Sequence, residues 1–251
     1  MKLFDKLTNF DAKDRQSESG NVLFLILIAV ALFAALSYAV TSSSRSGGGD
    51  ANDETNLISS STITQYPASI RTAIIRMQVS NGVDITDLEF NEPTDFGNCS
   101  TAGSNCVFHP AGGGATHVPG SADVMDSGAQ VDWVFNAENE INLVGTSSAT
   151  VNSPTTATAE IIAFLPGIRQ GICQRINDEL GITGIPTETG INITTQHVNA
   201  DGSGTGLPAF VASGTTATIG AAGATALDGQ AFGCFQQPAG TFHYFHVLIE
   251  Q

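Results

Sequence analysis

The longest uninterrupted apolar stretch of the chain lies close to its N-terminus. Residues 22–40 form a run of 19 in which Ser37 is the only clearly polar member. As an α-helix this run would extend about 28 Å at roughly 1.5 Å per residue, close to the ~30 Å hydrocarbon core of a bilayer. A helix satisfies its backbone hydrogen bonds internally, as lipid requires. The pattern therefore predicts a membrane-spanning helix.

A second apolar pattern, with helical spacing, lies between Asp53 and Ser80. Its apolar positions recur mostly three or four residues apart, which predicts an amphipathic helix. They are Leu57, Ile63, Tyr66, Ile70, Ala73, Ile74 and Met77. We expect Pro67 to kink or split this helix, and Asn81-Gly82 to end it. Between the two patterns, the Gly- and Ser-rich residues 41–52 predict a flexible linker.

Beyond Asp84, short runs of β-branched and aromatic residues predict β-strands. These runs are residues 84–90, 131–135, 140–145, 160–165 and 241–250. The sequence FNAEN, residues 135–139, indicates a hairpin turn between the second and third runs. Residues 182–233 are rich in Gly, Thr and Ala, and they predict loops with two weak strands.

One further helix is predicted over residues 167–181, GIRQGICQRINDELG. Its apolar stripe consists of Ile168, Ile172, Ile176 and Leu180. Gly181 follows this stripe and is a typical helix terminator. Together the patterns predict an α+β fold, in which a long N-terminal hydrophobic helix is followed by an amphipathic helix packed on an antiparallel β-sheet.

Charge is distributed unevenly between the N-terminus and the rest of the chain. The formal net charge is -15, and beyond residue 20 there are five arginines and no lysine against 20 acids. Binding to nucleic acid through this acidic part is disfavoured, because it lacks the clustered cations that displace counterions from phosphates. Four cations precede the apolar run: Lys2, Lys6, Lys13 and Arg15. Only Arg45 follows it closely, so the N-terminus is predicted in the cytoplasm and the body outside.

A polar, charged leader that ends in Gly20 and passes directly into the apolar run resembles the N-terminus of type IV prepilins and pseudopilins. The resemblance implies cleavage after Gly20 by a prepilin peptidase on the cytoplasmic side, which leaves Asn21 as a methylated N-terminus. It also implies that the apolar helix first spans the inner membrane and later packs in the core of a filament. The positions expected in that packing are Val22, Phe24, Leu25, Ile28, Phe33 and Leu36.

Two positions depart from this family pattern. Leu25 stands at the fifth mature position, where most such proteins carry Glu, and Asn21 stands where Phe or Met is more usual. That Glu is thought to neutralise the N-terminal amine of a neighbouring subunit inside apolar packing, where an unpaired charge is costly. The tip pseudopilin of type II secretion systems also lacks it. The departure therefore favours a minor subunit over a bulk pilin.

The resemblance implies a four-part organisation. The parts are a cytoplasmic leader (1–20), a transmembrane and filament-core helix (21–40), a linker (41–52) and an extracytoplasmic α+β head (53–251). The implied partners are other pilin-like subunits, the inner-membrane assembly machinery and the prepilin peptidase. We expect a single-pass inner-membrane protein with its head periplasmic or extracellular, or carried in a surface filament. Such filaments serve adhesion, motility, DNA uptake or secretion.

Two alternatives stay open at this point. In the first, the apolar helix is a permanent anchor for an extracytoplasmic binding or adhesin domain that never polymerises. In the second, Ser37-Tyr38-Ala39 acts as a small-x-small cleavage site. Cleavage there would release the body as a secreted hydrolase or lectin-like domain.

All four cysteines lie beyond the apolar run, on the side predicted to be oxidising. Four cysteines allow three connectivities. We expect a Cys99–Cys106 disulfide, which closes a short loop with Gly and Ser to turn on. We also expect a Cys173–Cys234 disulfide, which would link the late helix to the segment before the last strand. A zinc site is disfavoured because no C-x-x-C pair occurs.

Catalytic motifs are missing from the sequence. There is no G-x-S-x-G, and no Ser-His-Asp set can be assigned by spacing, so we expect no enzyme activity and no cofactor. His243 and His246 should point to opposite faces of the last strand and cannot together ligate one metal. Residues 107–121, which contain His109 and His117, are interpreted as a tight surface loop. A phosphate cradle is disfavoured there because no Lys-Ser or Lys-Thr follows the glycines.

Calcium is the one ion for which the sequence offers ligands. Carboxylates cluster between residues 84 and 95, and the candidate ligands are Asp84, Asp87, Glu89 and Asp95. Their spacing matches no EF-hand loop. The competing interpretation is that these acids keep the surface soluble, since a lysine-free acidic face resists self-association.

Overall fold

The computed structural model describes residues 19–145, 159–202, 217–221 and 224–250. Within the first helix, α1 (Ser19–Arg76), it describes the side chains of residues 22–41 and 53–76. The chain divides into two compact units, Met1–Glu54 and Thr55–Gln251. The residues of α1 are shared between these two units.

Helix α1 differs from the sequence prediction at two places. Its backbone remains helical through residues 41–52, where a flexible linker is predicted. A glycine inside a helix costs roughly 1 kcal/mol relative to alanine but keeps its N–H and C=O groups, so a run of glycines need not break the hydrogen-bond ladder. Pro67 also lies inside α1, and the predicted split of the helix at this residue is wrong.

The predicted end of the amphipathic helix is confirmed. After Arg76 the chain makes one π-helical turn, Met77–Asn81. Gly82 then adopts a left-handed conformation with φ of 67°, and its N–H donates to the carbonyl of Met77. Glycine suits this position because it has no Cβ to clash in the left-handed region.

The second unit contains a curled five-stranded sheet. The strands are β1 (Val134–Ile141), β2 (Glu160–Ile168), β3 (Ala217–Ile219), β4 (Phe232–Gln236) and β5 (Phe242–Ile249). Their order in the sheet is β3-β1-β2-β5-β4. The strands β1 and β3 are parallel and the other neighbours antiparallel, so the sheet is mixed where an antiparallel one was predicted. The predicted strands at 160–165 and 241–250 are confirmed.

The hairpin turn predicted at residues 135–139 is wrong, because β1 continues through these residues, with a shift in its pairing with β2 between Asn136 and Asn139. Phe135 and Ala137 join the core on one face of the sheet. The Asn136 side chain is buried and donates to the carbonyls of Asn192 and Thr195, each at 3.1 Å. These polar residues therefore fill hydrogen-bonding positions inside the protein, although their composition is typical of a turn.

The strand predicted at residues 84–90 is also wrong. Residues Ile85–Asp87 form a 3₁₀ turn, and the Asp84 carboxylate accepts from the backbone N–H of Thr86 at 3.0 Å. Short polar side chains commonly stabilise turns in this way, and so compete with strand pairing.

Both faces of the sheet are covered. On one face Ile161, Ala163 and Leu165 of β2 share a core with α1 and with the second helix, α2 (Gln170–Glu179). From α1 this core contains Ile63, Ile70 and Ile74, and from the π-helical turn that follows it contains Met77. On the other face Ile162 and Phe164 share a separate core with residues of irregular segments. Helix α2 confirms a helix within residues 167–181, and Ile172 and Ile176 of the predicted stripe lie in the first core. Ile168 of that stripe belongs to β2 instead.

Two adjacent isoleucines test the packing of α1 within the second unit. Ile74 is fully buried, whereas Ile75 is 45% exposed. We expect Ile74→Ala to lower the free energy of unfolding by about 2–5 kcal/mol, because it leaves a cavity. Ile75→Ala should change it by no more than about 0.5 kcal/mol. Denaturant unfolding of the full chain in detergent, followed by the fluorescence of the buried Trp133, measures both. Equal losses would contradict this packing.

Candidate functional site

The apolar part of α1 is the largest exposed apolar feature among the described residues. The span Val22–Thr41 has a mean hydropathy of 2.7, and none of it is buried within the chain. It is long and apolar enough to cross a membrane by length and composition alone. The side chains predicted to pack in a filament are 40% to 71% exposed. They are Val22, Phe24, Leu25, Ile28, Phe33 and Leu36.

The predicted processing position lies at the start of the same helix. Gly20 and Asn21 belong to the backbone of α1, which begins at Ser19, and the Asn21 side chain lies outside the described part of the structure. An apolar surface of this extent is rare on a soluble monomer and marks a site of membrane or protein contact. The span is therefore the leading candidate for the functional surface of the first unit.

The Cys99–Cys106 disulfide is present, with a Cα–Cα distance of 5.9 Å. Next to it lies Glu89, which is fully buried. Its carboxylate accepts from the backbone N–H of Ser100 at 2.9 Å and also from the Ser100 hydroxyl. Burying a carboxylate is costly unless it is hydrogen-bonded, so these contacts hold the loop closed by the disulfide against the head core.

The structure does not bring the four calcium candidates into one site. Asp84 caps the 3₁₀ turn, Asp87 is exposed and Glu89 bonds to Ser100. The Asp95 carboxylate accepts from the side chains of Asn91 and Asn98 at 2.9 and 2.6 Å. Among the described residues, no group of three converging ligand atoms contains Asp84, Asp87 or Asp95.

The second predicted disulfide is not formed. Cys173 in α2 and Cys234 in β4 are both fully buried, and both are free thiols. Burial raises the pKa of the Cys234 thiol well above its usual range, and its contact with Cys173 raises it further. The prediction that Cys173 and Cys234 are close in space is therefore confirmed. The predicted disulfide between them is wrong, because both remain free thiols.

Two buried glutamates have raised pKa values. Burial raises the pKa of Glu160 to about 8, although its carboxylate accepts from the Ile141 N–H at 2.8 Å. Nearby charges of Glu140 and Glu250 raise it further. Burial likewise raises the pKa of Glu188 to about 7. In the folded second unit the carboxyl groups of Glu160 and Glu188 therefore stay protonated, and so uncharged, to a higher pH than exposed glutamates do.

Buried histidines show the opposite shift. Burial lowers the pKa of His197 to about 4. Burial, with a contribution from Arg71, also lowers the pKa of His246 to about 4. His243 packs beside Phe235, and His246 bonds to Tyr244 at 2.8 Å. Phe235 and Tyr244 belong to different cores, so the two histidines lie on opposite faces of the sheet, as predicted.

The Gly-rich segment 107–121 packs tightly against the second unit's part of α1. A Cβ atom at Gly113 would collide with the carbonyl oxygen of Val107, so only glycine fits there. The Gly113 carbonyl accepts from Arg76, and the Val118 N–H donates to the Tyr66 hydroxyl at 3.2 Å. These contacts explain the glycines structurally, in agreement with the predicted tight loop.

This loop also brings together three residues that the sequence did not single out as a set. Ligand atoms of Glu92, His117 and Asp132 all lie within 4.8 Å of one another. The three residues are far apart along the chain, and no spacing motif connects them. The three side chains come together only because the fold brings three separate loops next to one another.

Comparison with protein-family models, curated protein sequences and solved structures finds no match to this chain.

Thiol counting tests the cysteine arrangement. We expect a maleimide reagent to modify no cysteine in the native protein, because both free thiols are buried. After unfolding without reductant, Cys173 and Cys234 should react, and after reduction all four cysteines should. Peptide mass spectrometry assigns the modified positions. Protection of Cys173 and Cys234 after unfolding would instead support the disulfide predicted from the sequence.

The raised pKa of Glu160 predicts a pH-dependent stability. The unfolded carboxyl ionises near pH 4.5 and the folded one near pH 8. Its stabilising contribution is therefore fully present below pH 4.5 and is lost as the pH rises to about 8. Glu160→Gln stays neutral, so its stability relative to the wild type should increase across this window. Denaturant unfolding at several pH values measures the difference.

The exposed Glu179 provides the matched control for this pH effect. It pairs with Arg175 on the surface of α2. The difference between Glu179→Gln and the wild type should not change appreciably across the same pH window. A pH-independent difference for Glu160→Gln would show that this carboxyl titrates normally in the folded head.

Proposed function

We propose that the chain is a structural subunit, and a minor one, of a type IV pilus-like or type II secretion pseudopilus filament. In this proposal it enters the inner membrane through residues 21–40 and assembles through the same helix. The observation that carries the proposal is the exposed apolar span Val22–Thr41, which follows directly on the leader-like junction at Gly20.

The exposed span suits a helix that passes from lipid into a bundle of helices. Its side chains are apolar on all sides, whereas a helix of a soluble domain carries a polar face. Lipid covers such a surface in the membrane, and neighbouring apolar helices cover it in a filament. The same helix surface would thus contact lipid before assembly and other helices in the filament.

The second unit also agrees with this proposal. Its part of α1 has one apolar side, which shares a core with the β-sheet. An amphipathic helix packed on a sheet is the arrangement expected of a pilin-like head. The acidic, lysine-free composition suits a head that faces solvent and does not bind nucleic acid.

Orientation and subunit type follow from charges near the helix. The four cations of the leader favour a cytoplasmic N-terminus, with the head on the periplasmic or extracellular side. Leu25 replaces the Glu that would neutralise a neighbouring amine, which favours a rare position in the filament over a repeated one. No enzymatic role is proposed.

Leu25 is also the observation that favours the second candidate function. A permanently anchored binding or adhesin domain needs no charge-neutralising Glu, because its helix never packs against identical N-termini. This alternative uses the same apolar span as an anchor and requires no processing at Gly20. The two functions therefore differ in what happens to the leader.

Replacement of Gly20 separates these functions. In cells with a prepilin peptidase, we expect the wild-type chain to mature to an N-terminus at Asn21. Gly20→Leu should accumulate with its leader, because the bulky side chain obstructs the peptidase. Intact-mass measurement of membrane-extracted protein distinguishes the two forms.

The matched control is Ala39→Leu, which alters the other cleavage candidate and should mature normally. Wild-type chains that keep Met1 in the presence of the peptidase would support the permanent anchor. A soluble product that begins at Val40 would contradict both functions. Cells without the peptidase provide the reference mass of the unprocessed chain.

A further inference from the structure

We propose that Glu92, His117 and Asp132 bind a divalent transition metal ion of the zinc class in the second unit. One imidazole nitrogen and two carboxylates converge, with all ligand atoms within 4.8 Å of one another. The His117 Nε2 atom lies 3.7 Å from a carboxylate oxygen of Glu92. Ligand atoms that share a zinc ion at about 2.0–2.2 Å lie at most roughly 4.4 Å apart, and the 3.7 Å separation between His117 and Glu92 is within that limit.

The state of His117 is the second observation that points to a ligand. Its side chain is only 12% exposed, and its Nε2 atom is buried without a hydrogen-bond partner among the described residues. The 3.7 Å separation from Glu92 is too long for a hydrogen bond. A buried polar atom without a partner is costly, and coordination of a cation would satisfy it.

The imidazole is held in place by its surroundings. The ring of Phe108 contacts the His117 ring edge-on, with centroids 5.1 Å apart. The next residue, Val118, donates its N–H to the Tyr66 hydroxyl at 3.2 Å. The Phe108 contact restrains the ring on one side, and the Val118 hydrogen bond restrains the backbone next to it, so the imidazole is partly positioned before an ion binds.

The two carboxylates are also presented by constrained backbone. Glu92 immediately precedes the 3₁₀ turn Pro93–Asn98, and its carbonyl accepts from the Asp95 N–H at 2.8 Å. Asp132 follows Val131, which exchanges two backbone hydrogen bonds with Gly120, at 2.8 and 3.3 Å. The ligands therefore come from three separate loops that the fold already holds together.

The ligand set selects the class of ion. Calcium and magnesium prefer oxygen-only sites, whereas a neutral imidazole suits zinc and related transition metals. Two carboxylates balance the charge of a dication. Asp132 is exposed, so water can complete the coordination on that side. Three protein ligands with an open position are a common arrangement for zinc.

The consequence of binding would be to cross-link the loops around residues 92, 117 and 132. Tyr66 of α1 lies next to the same group, because its hydroxyl accepts from the N–H of Val118, the residue that follows His117. A bound ion would thus fasten these loops beside the helix. This inference concerns the head alone and does not depend on filament assembly.

Zinc titration of the full-length chain tests the site. The protein is purified in detergent without a polyhistidine tag, treated with a chelator and dialysed, and ZnCl₂ binding is measured by calorimetry. We expect one saturable site per chain. His117→Gln and Asp132→Asn should each weaken binding roughly tenfold or more, since even the loss of a residue that only hydrogen-bonds to a ligand costs about 10–100-fold in metal affinity. CaCl₂ should not compete for the site.

Matched controls and a folding check keep the test decisive. His109→Gln lies in the same Gly-rich segment and Asp126→Asn is another exposed aspartate, so both should bind zinc like the wild type. Thermal unfolding without metal shows whether His117→Gln is still folded. If it is not, Asp132→Asn decides the test, because Asp132 is exposed and its replacement should not affect folding. The proposal is overturned if the wild type has no saturable site, if Asp132→Asn binds as tightly, or if calcium displaces zinc.

Discussion

Apolar side chains of helix α1 must be shielded from water, and the two units meet this requirement differently. In the second unit Ile63, Ile70 and Ile74 are buried in a core shared with the sheet. The span Val22–Thr41 is apolar on every side and has no cover within its unit. Burial of apolar area is worth about 25 cal/mol per Å², so this span requires cover from lipid or from other helices. Both the proposed function and the permanent anchor would supply that cover.

Features that depend on local sequence were predictable. The apolar run, the helix end at Gly82 and helix α2 each have a signal contained within a few turns of chain. The central strands β2 and β5 are buried on both faces and are rich in β-branched and aromatic residues. The Cys99–Cys106 bond closes a short loop. In each case neighbouring residues carry enough information to determine the structure.

Features that depend on distant partners could not be predicted. Asn136 belongs to a strand because carbonyls of residues 192 and 195 accept its hydrogen bonds. Asn177 is buried in α2 because its side chain bonds to the backbone of Cys234 in both directions. The group of Glu92, His117 and Asp132 arises in the same way, from loops that meet only after folding. Composition alone assigns such polar residues to turns or surfaces.

The head interior favours neutral titratable groups of both kinds. Glu160 loses its stabilising contribution as the pH rises from 4.5 to about 8, whereas His197 and His246 lose theirs as it falls from 6.5 to about 4. Arg71 is near His246, but it pairs with Glu250 at 3.6 Å on a partly exposed surface and contributes little stability. The second unit has few cations that could pair with buried carboxylates. Glu160 and Glu188 instead bind protons more readily when buried, because their pKa values are raised. Stability is thus lost at low pH through the histidines and at high pH through Glu160. We therefore expect this part of the second unit to be most stable at mildly acidic to neutral pH.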